Sequence, residues 1–465
     1  MNDYGDELTL FEADKYLDSV KRIHFIGIGG SGMCPLAEIL HSKGYELSGS
    51  DNNETDTLNR IKALGIPVTI GQKAENIAGA EMIIYTAAIQ KDNPELIAAF
   101  NSGIPTFERS KLLGAISRKF SNCIGISGTH GKTTVTSMLT QILINAGVDP
   151  SAVIGGKLPM TGTNGITGDS DVFVCESCEY SNTFLELSPK CSVILNVDAD
   201  HLEFFKTMEN LRHSFVEFAS MAQTVIYNGD DENTLKVVAQ TGDKEYISFG
   251  FDKENDWYAD NIDTENGAYP EFDIFHNGEK QGRAVLSVPG KHNIYNALAA
   301  VASAVYAGVS PETAIDLLHS FTGAGRRFEK LGEYKGITIV DDYAHHPAEL
   351  KVTLEAAKQM NYKKVIAVFQ PFTYSRTSML LDDFANVLSI ADKVVLTEIM
   401  GSREKNTYNI YSSDLTAKIP NSEWYKTFED VAERVEELAE DGDLIITLGC
   451  GDVYKIAKMI INDLK

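Results

Sequence analysis

The sequence predicts an α/β fold in three domains. Three observations carry that expectation. Strand-like and helix-like runs alternate through three successive stretches of the chain, which is the pattern of parallel sheets with crossover helices. Two of these stretches open on a strand that runs into a glycine loop and then a helix. Between the second and third lies a hairpin signal, which adds a small antiparallel part. The expected divisions fall near 118 and 324, giving domains 1–118, 119–324 and 325–465.

In the first domain the strand candidates are "RIHFIGIG", "GYELSGS", "PVTIG", "AEMIIYTAA" and "IPTFE", with helices such as "CPLAEILHSKG" and "NRIKALG" between them. The central domain opens at "NCIGISG" and continues with "DVFVCE", "CSVILNVD" and "TVIYNGDD". Within "EFDIFHNGEKQGRAVLSV", Asn277-Gly278 predicts the turn of a hairpin. "HNIYNALAAVASAVYAG" reads as a helix with Ile294, Leu298, Val301 and Val305 on one face. "FTGAGRRFEKLGEYKG" reads as a junction, after which "ITIVDDY", "VIAVFQPF", "KVVLTEI" and "DLIITLGCGD" supply the third set of strands.

Composition sets outer limits. The 465 residues are 43% hydrophobic, enough for several cores and unlike a disordered chain. A net charge of −25 argues against nonspecific nucleic-acid or anionic-membrane binding. No run approaches the roughly 20 apolar residues of a membrane span. The start "MNDYGDELTLFEADKYL" is acidic and lacks the apolar core of a secretory leader. Six scattered cysteines do not make a disulfide scaffold in so long a chain. A cytoplasmic protein is expected, and its oligomeric state is not readable.

"GISGTHGKTT", residues 125–134, is the sharpest chemical signal. A helix N-terminus offers unpaired N–H groups and a positive dipole to anions, and glycines let the backbone approach phosphate. Lys132 would reach terminal phosphates, and the Thr133 hydroxyl would serve Mg²⁺. The general phosphate-loop pattern wants a glycine at 126, where this chain has Ile126.

The earlier loop, Gly27-Ile28-Gly29-Gly30-Ser31-Gly32, fits G-x-G-x-x-G after a strand, with Asp51 at the end of the next strand. That is the dinucleotide fingerprint. The same geometry suits any ribose-linked diphosphate, so NAD and another nucleotide diphosphate stand level on these residues alone.

Ligands bind outside the carboxyl ends of parallel strands. "DVFVCESCEY" places Glu176 and Glu179 there, and "NVDADHLEFF" places Asp198, Asp200 and His201. Such carboxylates and an imidazole suit divalent ions that bridge phosphates. Cys175 and Cys178 have redox spacing, but no second pair completes a zinc site and no thioredoxin-like unit surrounds them.

Taken together, "GTHGKTT", "NVDADH", "GKHNIYNALAA", "GAGRRFE", "DDYAHHPAEL" and "FQPFTYSRT" resemble, in order and spacing, the Mur ligases of peptidoglycan synthesis. The resemblance runs from "IHFIGIGGSGM" to "LGCGD". It implies a Rossmann-like N-terminal domain for a UDP-sugar, a central ATPase domain and a Rossmann-like C-terminal domain completing the ATP and amino-acid sites. Gly27, Gly29, Gly30, Ser31, Gly32 and Asp51 would then serve a UDP diphosphate. Gly128, Thr129, His130, Gly131, Lys132, Thr133 and Thr134 would hold ATP, with Asn293 and Asn296 toward adenine and Arg327 and Asp342 joining them. Thr133 and Glu176 would bind one Mg²⁺ and His201 a second. Tyr343, His345 and Arg376 would hold the amino acid, Arg376 as a planar fork for its carboxylate.

The chemistry implied is ATP-driven joining of L-alanine to the carboxylate of UDP-N-acetylmuramate through an acyl phosphate and a tetrahedral intermediate. Lys132, Glu176, His201, Arg327, His345 and Arg376 are the expected catalytic set. The chain departs from the family around Glu176, with Cys175 and Cys178 in place of alanine and aspartate. It departs again in "FQPFTYSRT", with Phe372 and Thr373 in place of histidine and arginine. Three other readings compete: a murein-peptide recycling ligase, an NAD-dependent oxidoreductase and a non-catalytic nucleotide switch.

Overall fold

The computed structural model describes residues 12–263, 268–402 and 404–464. The first eleven residues, on which the reading of the N-terminal stretch partly rests, lie outside the described residues. No described helix is long and apolar enough to cross a membrane.

The strands form three sheets. The first contains β1 (Arg22–Ile26), β2 (Glu46–Asp51), β3 (Val68–Ile70), β4 (Met82–Tyr85) and β5 (Thr106–Glu108). Its order is β3-β2-β1-β4-β5, with every pair parallel. Chain order therefore reverses at β1, whose neighbours are β2 and β4. That reversal opens a crevice at the carboxyl end of β1, where the loop Gly27–Gly32 begins.

The second sheet contains β6 (Asn122–Ser127), β7 (Ser151–Leu158), β8 (Thr163–Ile166), β9 (Val172–Glu176), β10 (Cys191–Ile194), β11 (Thr224–Asn228), β12 (Glu245–Gly250), β13 (Trp257–Asp263), β14 (Glu271–His276) and β15 (Glu279–Val285). Its order is β15-β14-β13-β12-β11-β10-β6-β9-β7-β8. Here the reversal falls at β6, parallel to both β9 and β10, and the lysine loop leaves its carboxyl end. Asn277 and Gly278 both have positive φ, 50° and 82°, the turn that matches strand twist in a two-residue hairpin.

The third sheet contains β16 (Glu329–Tyr334), β17 (Ile337–Asp342), β18 (Val365–Phe369), β19 (Lys393–Leu396), β20 (Ser422–Trp424) and β21 (Leu444–Leu448). Its order is β16-β17-β21-β18-β19-β20, parallel except for the β16–β17 pair. β16 lies inside the stretch expected to be only a junction. Its "EKLGEY" alternates weakly and is half-exposed, so the local pattern does not announce a strand. The β7–β8 pair was missed for a similar reason: β8 is four residues of "TNGI".

The chain separates into two compact units. The first comprises Met1–Ala259, Ile274–Gly282 and Tyr295–Leu317; the second comprises Asp260–Asp273, Arg283–Ile294 and Leu318–Lys465. In the first unit one apolar core runs from Phe25 and Ile39 through Phe107 and Ile116 to Phe173 and Phe218. Arg118 fixes that continuity with a two-point bond to Asp14 and a third to the Glu186 carbonyl, each 2.7 Å. In the second unit the two faces of the parallel strands build separate cores. Ala367 and Ile446 face one side and Ile366 and Ile445 the other, as the two-residue period of a strand requires.

Candidate functional site

Most helices of the first unit begin on a side-chain cap, as at Thr55, Asn93, Thr207 and Asp231. The two that follow the glycine loops do not. Cys34–Ser42 starts after Met33 and Lys132–Asn145 starts after Gly131, with no side-chain hydrogen bond at either cap. At both helices the backbone of the glycine loop, and not a capping side chain, forms the N-terminus, the local form that suits an anion.

The lysine loop is held open by the strand end beside it. The His130 N–H donates to Asn196 Oδ1 at 2.8 Å, and Asn196 Nδ2 donates back to the His130 carbonyl at 3.1 Å. The Asp198 N–H donates to Thr129 Oγ1 at 2.9 Å. Gly131 has φ 87°, and a Cβ there would lie 2.6 Å from Asn296 Oδ1. Glycine is therefore required both by conformation and by the carboxamide of Asn296, which the fold brings against the loop.

Lys132 is half-buried at the start of its helix. Its Nζ donates to the carbonyls of Gly128 (2.5 Å) and Thr129 (3.1 Å) and to Glu179 Oε2 (2.9 Å). Burial alone would lower its pKa, but the charge of Glu179 foremost, with that of Glu176 and the hydrogen bond to Glu179, outweighs that and raises it. The ammonium form is thereby secured. Glu179 is 1% exposed. Its partnership with Lys132 is the functional feature that sequence reasoning missed; its only advance sign was a carboxylate near a strand end.

Glu176 ends β9 and accepts the Gly155 N–H on Oε2 at 2.8 Å. A Cβ on Gly155 would come within 2.3 Å of that oxygen, so the glycine makes the cradle. His201 has φ 55° and its Nε2 lies 3.7 Å from Asp200 Oδ2 and 4.0 Å from Glu179 Oε1. Thr133 is buried beside Lys132 in the first turn. The Thr133 hydroxyl and the carboxylates are hard oxygen donors, the set that suits Mg²⁺. Among the described residues no three His, Cys, Asp or Glu side chains cluster to hold a metal ion.

The two cysteines of the Cys175–Cys178 spacing have different neighbours. Cys175 Sγ lies 4.0 Å from Cys123 Sγ in the core. Cys178 neighbours Lys132 and Glu179, and burial with the Glu179 charge pushes its thiol up to about 11. A thiol so raised is protonated near neutrality and is a poor nucleophile.

In the first glycine loop, the Gly27 and Ile28 N–H groups donate to the Ser50 carbonyl, and Gly29 N–H donates to Asp51 Oδ2 at 2.9 Å. Gly27 has φ 84°, and a Cβ there would meet Thr86 Cγ2 at 2.7 Å. Asp51 therefore shapes the loop directly. The Ser31 carbonyl accepts from Asn164 Nδ2 at 2.8 Å. Asn164 sits on β8, also donates to the Ile154 carbonyl, and accepts from Arg60 Nη2 at 2.9 Å. Arg60 is paired in turn with Glu38 at 2.6 Å.

The second unit gathers its own candidates. Asp342 closes β17 and accepts the N–H groups of Phe328 and Ala344, each at 2.7 Å. Burial pushes its carboxyl up to about 6, against the pull of Arg327 and those two N–H groups. Arg326 and Arg327 both approach the Tyr343 ring, 5.0 Å from its centroid. Arg326 is spent on structure, donating to Asp341 and to the Gly449 carbonyl. Arg326 and Phe328 have φ of 60° and 49°, strained values that flank Arg327.

His345 Nδ1 lies 3.2 Å from both the Tyr343 carbonyl and Glu349 Oε2, which assigns the Nδ1–H tautomer and leaves Nε2 as acceptor. Tyr343 and Phe372 both meet the His345 ring edge to face. Arg376 and Arg326 both draw down the Cys450 thiol, though burial dominates and pushes it up to about 12. Thr373 has φ 61° and ψ 144° and caps the Arg376 N–H, an outlier for a β-branched residue. Asn293 donates its Nδ2 to the Pro289 carbonyl at 2.7 Å.

Two sheets that reverse their order beside a glycine loop, and a third that carries a cluster of arginine and carboxylate, define the class of a modular α/β protein with phosphate-type loops. Residues 22–121 match the Mur ligase family catalytic domain, 126–304 the Mur ligase middle domain and 326–451 the Mur ligase glutamate ligase domain. The chain belongs to the Mur ligase family.

Within it, the chain is 42% identical over 456 residues to the UDP-N-acetylmuramate–L-alanine ligase of Caldanaerobacter subterraneus subsp. tengcongensis, covering 97% of this chain and 99% of that one. It is 44% identical to the enzyme of the same name from Agathobacter rectalis, covering 95% and 97%. Its fold is similar to the crystal structure of UDP-N-acetylmuramate-alanine ligase MurC from Thermotoga maritima, with TM-score 0.82, 27% identity and coverage of 95% and 98%. The murein peptide ligase of Psychrobacter arcticus shares the fold, with TM-score 0.75 at 24% identity and coverage of 96% and 99%.

Proposed function

We propose that this chain joins L-alanine to the carboxylate of UDP-N-acetylmuramate, converting ATP to ADP and phosphate, in the synthesis of a peptidoglycan precursor. Its similarity over nearly its whole length to enzymes named for that reaction supports the reading. The structural observation that carries it is the half-buried Lys132 at the carboxyl end of β6, paired with Glu179, which His201 also approaches, and raised by Glu176 as well. An oxidoreductase would have no use for that arrangement. We further assign residues 1–118 to the sugar nucleotide, 119–324 to ATP, and 325–465 to ATP and the amino acid. The reaction is placed in the cytoplasm.

The muramate carboxylate attacks the γ-phosphorus of ATP, forming an acyl phosphate and releasing ADP. The alanine amine then attacks the acyl carbon, and the tetrahedral intermediate expels phosphate. Lys132 and the N–H groups of the lysine loop hold the terminal phosphates and oppose the charge that builds on their oxygens. Thr133 and Glu176 would hold one Mg²⁺ and His201 a second. Mg²⁺ there supplies charge neutralisation at phosphate oxygens. Asn296, beside the lysine loop, would orient the nucleotide base, and Asn293, Arg327 and Asp342 are assigned to ATP on the family resemblance. His345 Nε2 takes the proton that the amine must lose, and Arg376 grips the alanine carboxylate.

The test is phosphate release from ATP with UDP-N-acetylmuramate fixed and the amine varied across amino acids and a muropeptide-type tripeptide. Release should require both the sugar nucleotide and L-alanine. Release driven by the tripeptide alone would identify a recycling ligase, and release indifferent to every amine would remove the ligase reading.

A further inference from the structure

We infer that Arg109 is an anion-binding residue of the sugar-nucleotide site. The inference rests on the proposed function and adds a residue to it. Arg109 is half-buried at the first position of the helix Arg109–Ser117, directly after β5. Among the described residues its guanidinium makes no hydrogen bond, ion pair or ring contact. Every other described arginine is engaged, as Arg60 is on Glu38, Arg118 on Asp14 and Arg434 on Glu423. In a chain of net charge −25, a half-buried guanidinium with no carboxylate on it is a specific arrangement.

Its surroundings say what it is held for. A Cβ on Gly32, the last glycine of the first loop, would lie 3.1 Å from Arg109 Cδ and 3.4 Å from its Cζ. The arginine therefore packs along the end of the first glycine loop, the segment assigned above to the UDP diphosphate. On its other side Arg109 lines a small cleft with Glu176, Ser177 and Cys178. Arg109 thus touches both the end of the first glycine loop and the cleft that holds Glu176. UDP-N-acetylmuramate carries two anionic groups that must lie along such a line, its diphosphate and its carboxylate. A planar guanidinium recognises either with paired charge-assisted bonds. Without this cation, the substrate would bring its negative charges into a cleft lined by the Glu176 side chain.

The experiment is calorimetric binding of UDP, UDP-N-acetylglucosamine and UDP-N-acetylmuramate to full-length wild type, Arg109→Met and Arg109→Lys. Methionine keeps the apolar stem over Gly32 and removes the charge. Arg109→Met is expected to weaken UDP-N-acetylmuramate roughly ten- to hundredfold, the range for a hydrogen bond to a charged group, with affinity for an ATP analogue unchanged. Arg109→Lys should recover part of the loss, a rescue that a packing role would not give. Equal weakening of UDP-N-acetylglucosamine, which lacks the carboxylate, places Arg109 on the diphosphate; weakening confined to UDP-N-acetylmuramate places it on the carboxylate. Affinities within twofold of wild type for all three ligands in Arg109→Met overturn the inference. If Arg109→Met does not fold, Arg109→Gln takes its place under the same criteria. A wild-type chain that binds none of the three would instead overturn the functional reading itself.

Discussion

Lys132 Nζ lies 2.9 Å from Glu179 Oε2, and the side chains are 13% and 2% exposed. This is a buried ion pair at the mouth of the lysine loop. Breaking such a pair from one side leaves a desolvated charge and costs about 3–5 kcal/mol. Lys132→Ala should therefore abolish ligation and also lower stability. Lys132→Ala with Glu179→Gln should regain much of that stability and remain inactive. Urea unfolding and phosphate release of the three proteins check this. A double variant no more stable than Lys132→Ala would show that Glu179 is not the source of the cost.

Asn164 makes a second link of this kind. Its carboxamide joins the Ser31 carbonyl of the first glycine loop to the Ile154 carbonyl of β7. The next residue, Gly155, donates to Glu176. Asn164→Ala removes both bonds and leaves Arg60 without one acceptor, a loss of about 1–3 kcal/mol by the cost of unsatisfied buried groups. The KM for UDP-N-acetylmuramate should rise several-fold while that for ATP holds. Parallel changes in both constants, or in neither, would dissociate Asn164 from the sugar-nucleotide loop.

These links mark where sequence reading stops. The two glycine loops, the Asn277-Gly278 hairpin and the buried strands of the third sheet are local patterns, and a local pattern is visible in one sequence. Glu176 and His201 lie at or beyond strand ends, so the strand reading placed them as well, whereas Asp342 and His345 are reached only through the family resemblance. Asn164 and Ser31 are 133 residues apart, and nothing near either one announces the other. Arg109 is conspicuous only because it lacks a partner, which requires the positions of all the others. β16 was hidden because strand identity there comes from pairing with β17 rather than from its own alternation.

Arg376 tests the amino-acid site. It begins one helical turn after Thr373, whose strained backbone and hydroxyl cap start the helix Tyr374–Met379. With Thr373 where the family has a second arginine, Arg376 should carry the alanine carboxylate largely alone. Arg376→Ala should raise the KM for L-alanine by about a hundredfold, and Arg376→Lys by less, from the worth of a paired charge-assisted bond. The KM for UDP-N-acetylmuramate should stay constant. An unchanged KM for L-alanine in Arg376→Ala would move the carboxylate contact elsewhere.

Asp342 gives the pH prediction. Burial raises its carboxyl from the ordinary 3.8 to about 6, with Glu349 adding to the rise and Arg327 and the Ala344 and Phe328 N–H groups opposing it. Between about pH 4 and 6 the folded chain therefore holds a proton that the unfolded chain has lost. The number of bound protons is larger in the native state, so the contribution of this group to stability falls as pH rises through that window and is level above it. Asp342→Asn cannot titrate and should lack that fall. The carboxylate form is the one that can order Arg327, so wild-type ligation should climb across pH 6 while the variant's profile loses that limb. Thermal unfolding and rate measurements from pH 4.5 to 8, as a rough span of the window, decide both parts. If wild type and Asp342→Asn trace parallel curves in each measurement, the buried carboxyl is ionised throughout, and Arg327 is ordered by something other than its titration.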